Sequence, residues 1–156
     1  MGTILHYAKQ GQNKFLMAIL INEIKDRTSL FLNSINANAI AFVPPTIKRE
    51  VQIMKYIQKG INTHLPILNL KKISGIIPVP QKSLNKLEDR ISNADNTFAI
   101  FSNQNYKTVV LIDDAVGSGA TMNQIAKKII EKKIAKKVIG LAVVGSFKGF
   151  DVITDV

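Results

Sequence analysis

The segment VVLIDDAVGSGATM at residues 109–122 constrains the fold of this chain more than any other stretch. Four apolar residues lead into two adjacent acids, Asp113 and Asp114, and a run of small residues follows them. The apolar run is typical of a buried strand, and the small residues are typical of a tight loop before a helix. The segment therefore predicts a strand–loop–helix unit with paired carboxylates where the strand ends.

The rest of the chain also alternates between helices and buried strands. Strands are predicted at 39–43, 74–80, 97–101, 107–112 and 137–147, and helices at 13–35, 48–61, 82–92 and 120–134. Continuous apolar strands that alternate with helices are typical of parallel sheets covered on both faces. We therefore expect an α/β fold with a mainly parallel, twisted sheet flanked by helices on both faces. The 156 residues are expected to form a single domain, with 1–37 as an N-terminal helical segment.

Composition excludes several classes of protein. The chain has no cysteine, which rules out disulfides and zinc sites built from thiolates. No apolar run reaches the roughly 18 residues of a membrane helix, and the first residues do not have the pattern of a secretory signal. We therefore expect a cytoplasmic protein that does not enter a membrane.

The formal net charge of +10 leaves three interpretations open. A basic surface can bind nucleic acid, and a basic pocket can bind a phosphorylated small molecule. The third interpretation is that the lysines are solvated surface residues of a lysine-rich chain. The densest patch, AKKIIEKKIAKK at 126–137, favours this third interpretation, because its lysines fall between apolar residues at helical spacing.

The loop after the paired acids has the features of a phosphate site. Gly117 and Gly119 let backbone N–H groups approach a ligand, and the following helix presents the positive end of its dipole. Carboxylates would repel that phosphate, so they need a sugar diol, a metal ion or an arginine as partner. A ligand with a phosphate at one end and ribose hydroxyls in the middle would suit both the small-residue loop and the paired carboxylates. One alternative is an ordinary strand–turn–helix connection. Another is a Walker A loop, but the spacing of the residues does not fit that motif.

Two stretches of the sequence resemble a known family. VVLIDDAVGSGAT is similar over thirteen positions to the phosphoribosyl-diphosphate (PRPP) binding motif of type I phosphoribosyltransferases. The segment 78–101 resembles the region before that motif in ComF-family proteins, where a glutamine precedes a spaced Leu, Arg, Asn and Phe. In this chain those residues are Gln81, Leu84, Arg90, Asn93 and Phe98.

A third stretch, residues 42–52, resembles the prolyl loop of the same family and the basic residues after it. The chain departs from the family here, because Arg49-Glu50-Val51-Gln52 stands where the family has Arg-Gly-Phe-Asn-Gln. It also lacks the cysteines of the family's N-terminal zinc module. Both departures concern the acceptor and any DNA-related partner, and neither touches the PRPP motif.

The resemblance implies an enzyme that transfers the 5-phosphoribosyl group of PRPP to an acceptor of unknown identity and releases pyrophosphate. It makes Asp113 and Asp114 the catalytic pair at the ribose hydroxyls, with Mg²⁺ held near them through the substrate. It assigns the 5′-phosphate to Ala115, Val116, Gly117, Ser118, Gly119, Ala120 and Thr121. It assigns the pyrophosphate to Val43, Pro44, Pro45, Thr46, Lys48 and Arg49, and a hood over the acceptor to Gln81, Arg90 and Asn93.

Alternatives to these assignments stay open. Pro44-Pro45 can simply end a strand, Lys48 and Arg49 can be the solvated first turn of a helix, and Arg90 can form a surface ion pair. The alternative function is to sense PRPP or a nucleotide without turnover, or to assist DNA uptake in competence through the basic surface. The expected partners are PRPP, an acceptor, a second copy of the chain and weakly bound nucleic acid, with no membrane.

Overall fold

The computed structural model describes residues 1–45, 49–61, 63–73 and 98–145. The described helices are α1 (Gly2–Gln10), α2 (Lys14–Ser34), α3 (Ile53–Gly60) and α4 (Ala120–Glu131). The described strands are β1 (Ala39–Phe42), β2 (Ile67–Lys72), β3 (Phe98–Phe101), β4 (Tyr106–Val116) and β5 (Ala135–Gly145). The predictions that lie outside the described residues are the strand 74–80, the helix 82–92, residue 97 of the strand 97–101, the last two residues of the strand 137–147, and Thr46, Lys48, Gln81, Leu84, Arg90 and Asn93.

The five described strands form one sheet in the order β3-β2-β1-β4-β5. β1 is parallel to both β2 and β4, and β4 is parallel to β5. β3 is antiparallel to β2 and lies at one edge of the sheet. The predicted mainly parallel sheet is therefore confirmed, and β4, which carries the paired acids, lies inside it between two parallel neighbours.

Helices cover both faces of the sheet, and β4 shows how the sequence produces this. Val110 and Ile112 pack into a core with residues of α1, α2 and α3. Val109 and Leu111 pack into a second core, on the opposite face, with residues of α4. Successive side chains of a strand point to opposite faces, so a continuous apolar run is needed to fill both cores.

The N-terminal helical segment contains the predicted helix 13–35 as α2 and, before it, the additional helix α1. α1 ends at Gln10, and the side chain of Asn13 begins α2 by accepting hydrogen bonds from Phe15 N at 3.0 Å and Leu16 N at 3.1 Å. This is the usual N-cap contact, which satisfies N–H groups that have no partner within a helix. None of the described helices is long and apolar enough to cross a bilayer.

Several element boundaries differ from the predicted ones. The helix predicted at 48–61 begins only at Ile53 and ends at Gly60, because polar groups of residues 49–52 bond to the N-terminal segment instead. The helix predicted at 120–134 ends at Glu131, and Lys133, with a φ of 56°, turns the chain into β5. β5 therefore begins at Ala135 rather than 137.

β2 was not predicted, and β4 is longer than predicted. β2 has the sequence ILNLKK, and only Leu68 in it is buried, so it lacks the continuous apolar run of the other strands. β4 was expected to end at 112, but it continues to Val116 and contains both acids. It is held there by parallel pairing with β5, which includes Asp113 opposite Ala142.

Candidate functional site

The segments that follow β1 and the end of β4 leave the sheet side by side. β1 and β4 are parallel, with Phe42 opposite Ile112, and Val43 N donates a hydrogen bond to Ile112 O at 2.9 Å. This pairing brings Pro44 and Pro45 next to the two acids of β4. Together they line a cleft of about 240 Å³ at the carboxyl edge of the sheet, where parallel α/β sheets bind their ligands.

Asp113 and Asp114 reach this cleft from opposite faces of the sheet. β4 keeps its regular pairing through both residues, so the alternation of its side chains continues. Asp114 follows Val110 and Ile112 on the face covered by α1, and Asp113 follows Leu111 on the face covered by α4. Both acids line the cleft, so a ligand there can contact one carboxylate from each side.

Lys9 of α1 forms an ion pair with the more deeply buried acid. Its Nζ lies 2.5 Å from Asp114 Oδ2, and the Asp114 side chain is only 8% exposed, compared with 40% for Lys9. A buried carboxylate is costly without a charged or hydrogen-bonding partner. Lys9 therefore compensates the charge of Asp114 and brings a cation into the same cleft.

A set of hydrogen bonds joins the end of α1 to the segment that precedes α3. The Arg49 guanidinium donates to the backbone oxygen of Lys9, and a second nitrogen lies 3.4 Å from Gln10 Oε1. Val51 N donates to Gln12 Oε1 at 2.8 Å. Arg49 is therefore not a solvated residue of a helical turn, and its side chain lines the cleft beside Lys9.

The pKa of Asp113 lies above its ordinary value. Burial is the largest cause and raises the pKa of Asp113 from 3.8 to about 6. The hydrogen bond that Asp114 N donates to Asp113 Oδ1 at 2.8 Å opposes this rise, and the nearby charge of Asp114 adds to it. Perturbed acids of this kind concentrate at functional sites. At pH 7 Asp113 is mostly ionised and can accept hydrogen bonds from ligand hydroxyls.

The loop after β4 has a geometry that suits an anion. Gly119 adopts a φ of 75° and immediately precedes α4. Because glycine has no side chain, α4 begins without a side-chain cap, and its first turn contains no acidic residue. The first N–H groups of a helix have no partner inside it, and they lie at the positive end of the helix dipole. Of the residues assigned to the 5′-phosphate, Ala115 and Thr121 line the cleft, whereas 116–120 lie beyond its lining.

The structure brings part of each predicted half of the site to one cleft. Val43, Pro44, Pro45 and Arg49 line the cleft with Asp113, Asp114, Ala115 and Thr121. Two of the assigned residues prove to be in a strand rather than in a loop, because β4 includes Ala115 and Val116. Lys9 was missed, since nothing in the sequence distinguishes it from the other members of a set of 21 lysines and arginines.

The described residues do not form a metal cage of their own. No group of three or more His, Cys, Asp or Glu side chains lies close enough together among them to hold a metal ion. One oxygen of Asp114 contacts Lys9, and one oxygen of Asp113 accepts a backbone hydrogen bond. Since Mg²⁺ requires about six oxygen ligands, this site fits the ion only if a ligand supplies most of them.

No protein-family model matches this chain, and no curated protein matches it. Among solved structures, the chain is similar to tetragonal and orthorhombic crystal structures of a hypoxanthine phosphoribosyltransferase from Staphylococcus aureus. The sequence identity is 16% in both cases, the TM-scores are 0.47 and 0.48, and the matches cover 84% and 83% of this chain. The chain covers 65% of the length of each of those structures.

Proposed function

We propose that this protein binds PRPP and transfers its 5-phosphoribosyl group to an acceptor. One observation carries the proposal. The same stretch of chain supplies two carboxylates that reach one cleft from opposite sides of a strand, and then an uncapped helix start. Carboxylates accept hydrogen bonds from hydroxyl groups, and an uncapped helix start binds phosphate. A phosphorylated sugar carries both hydroxyl groups and a phosphate.

The described residues divide between the parts of PRPP. Asp113 and Asp114 each accept a hydrogen bond from a ribose hydroxyl, and the N–H groups around Thr121 bind the 5′-phosphate. The prolyl segment Pro44-Pro45 and the guanidinium of Arg49 face the pyrophosphate. This orientation keeps the acids away from both phosphate ends of the ligand, which the charges require.

The reaction breaks the bond between ribose C1′ and the pyrophosphate oxygen, and the electron pair leaves with that oxygen. A lone pair of the acceptor then forms the new bond to C1′. The carboxylates stabilise the positive charge that develops on the ribose ring. Bound Mg²⁺ would supply neutralisation of the leaving pyrophosphate, and the oxygens of Asp113 and Asp114 not already bonded are the protein groups available to it.

A second candidate function, nucleic-acid binding, is favoured by the exposed lysines of α4, of β5 and of the turn between them. They include Lys127, Lys132, Lys133, Lys136 and Lys137. Lys127 contacts Glu131 at 3.7 Å in an exposed pair that is worth little. This candidate predicts DNA affinity that falls steeply between about 50 and 200 mM salt.

A protein that senses PRPP without turnover would instead bind PRPP and release no pyrophosphate.

Calorimetric titration of PRPP, with and without Mg²⁺, tests the proposal. The wild type is expected to bind in the micromolar range with help from Mg²⁺, and the Asp113→Asn/Asp114→Asn variant is expected to lose this binding. Asp26→Asn is the matched control, since Asp26 is an exposed acid of α2. Absence of binding by the wild type at millimolar PRPP would disprove the proposal, and DNA would be tested next.

A further inference from the structure

We propose that Lys9 is a counter-ion shared between Asp114 and the pyrophosphate of the ligand, so that it couples the sugar site to the pyrophosphate site. The inference rests on the function proposed above and extends it to a residue of α1. The Lys9 ammonium lies 2.5 Å from Asp114 Oδ2. It therefore lies against the carboxylate that is assigned to a ribose hydroxyl.

The position of Lys9 also suits contact with pyrophosphate. Its backbone oxygen accepts a hydrogen bond from Arg49, so the base of its side chain is fixed next to the second cation of the cleft. The contact between Val51 and Gln12 holds the same two segments together. Lys9 and Arg49 thus line one side of the cleft together with Pro44 and Pro45.

The exposed fraction of the two side chains decides which partner moves. Asp114 is part of a strand and is almost fully buried, whereas Lys9 is 40% exposed and has a flexible four-carbon stem. An ammonium has three donors, so Lys9 can rotate from one carboxylate oxygen to the phosphate oxygens of a ligand in the same cleft. That rotation uncovers Asp114, and a ribose hydroxyl can then bond to it.

Positive coupling between the two halves of the ligand follows from this exchange. Pyrophosphate draws Lys9 away and leaves Asp114 in need of a donor, which the sugar supplies. By linkage, each half must strengthen the binding of the other by the same factor. A lysine that served only to hold the fold together would produce no such coupling.

Calorimetry with ribose 5-phosphate and inorganic pyrophosphate, each alone and each with the other at saturation, tests this inference at constant Mg²⁺. In the wild type, pyrophosphate is expected to strengthen ribose 5-phosphate binding about fivefold or more, and the reverse titration should give the same factor. In Lys9→Met the factor is expected to fall to near one, and pyrophosphate should bind more weakly. Lys14→Met, which removes an exposed lysine from the start of α2, is expected to behave as the wild type.

Asp114→Asn provides a test in the opposite direction, which remains if Lys9→Met does not fold. This variant releases Lys9, so pyrophosphate alone is expected to bind more tightly than to the wild type, and the coupling should disappear. Wild-type binding of both ligands with no coupling, or full coupling in Lys9→Met, would overturn the inference and leave the proposed function standing. Failure of the wild type to bind either ligand would overturn both.

Discussion

The ammonium of Lys9 lies 2.5 Å from the carboxylate of Asp114, although the two residues are far apart in the sequence. The contact joins the end of the first helix to the acid-bearing end of β4. Through Lys9, the N-terminal segment therefore lines one side of the candidate site. Stability and ligand binding should therefore depend on the same pair of side chains.

A double-mutant cycle on this pair should show strong non-additivity. Lys9→Met leaves a buried carboxylate without its cation and is expected to cost about 1–3 kcal/mol, less than a fully buried pair because water reaches Lys9. Asp114→Asn should cost less, since the released ammonium can turn to solvent. The double variant should cost less than the sum. Urea denaturation gives the unfolding free energy of the wild type and the three variants. Additivity of the two losses within about 0.5 kcal/mol would contradict an interaction between Lys9 and Asp114.

The raised pKa of Asp113 predicts how its contribution to stability changes with pH. The folded protein holds this proton up to a pKa of about 6, whereas the unfolded chain releases it near 3.8. The resulting stabilisation is complete below pH 3.8 and is lost as the pH rises to about 6. Asp113→Asn should therefore melt at a higher temperature than the wild type at pH 7, with the difference shrinking towards pH 4. Equal differences at pH 4 and pH 7 would argue against a buried Asp113.

Ligand binding should change in the opposite sense over the same interval. Asp113 must be ionised to accept a bond from a ribose hydroxyl, so the affinity for PRPP should rise about tenfold from pH 5 to pH 7. The phosphates of PRPP also titrate in this range, so the pH dependence of Asp113→Asn, which lacks this carboxyl, is subtracted from that of the wild type. An identical pH dependence in both proteins would show that the Asp113 carboxylate does not bond to the ribose hydroxyl.

The left-handed conformation at Gly119 predicts a selective effect of a single methyl group. Gly119 has a φ of 75°, so Gly119→Ala should cost about 1–2 kcal/mol and weaken the binding of ribose 5-phosphate. Gly117→Ala is the control, because a Cβ at Gly117 would meet no atom within 4 Å. It should change stability by less than about 0.5 kcal/mol. Equal losses of stability in the two variants would show that the left-handed conformation at Gly119 is not required for folding.

Two isoleucines of α4 test the core that holds the candidate phosphate site. Ile125 is fully buried against the sheet, so Ile125→Ala should cost about 2–5 kcal/mol of unfolding free energy. Ile130, in the same helix, is 41% exposed, and Ile130→Ala should cost less than about 1 kcal/mol. Chemical denaturation measures both, and similar losses would mean that α4 packs on the sheet through another face.

Sequence reasoning located the elements that have strong local signals. The runs at 39–43 and 107–112 are apolar on both faces, and they became the central parallel strands β1 and β4. β2 has no such run, because it is mostly exposed and pairs on one side with the edge strand β3. The start of α3 was also missed, since residues 49–52 form hydrogen bonds with a distant segment that no local pattern encodes.

Residue type and spacing are local properties, so the order of strand, paired acids, small-residue loop and helix can be predicted from the amino-acid sequence. The same local pattern placed Asp113, Asp114 and Thr121 at one edge of a parallel sheet. The contact of Lys9 with Asp114 and the burial that raises the pKa of Asp113 could be seen only in the folded chain. Ion pairing and desolvation depend on distances between groups that are remote in the chain, and packing alone sets those distances.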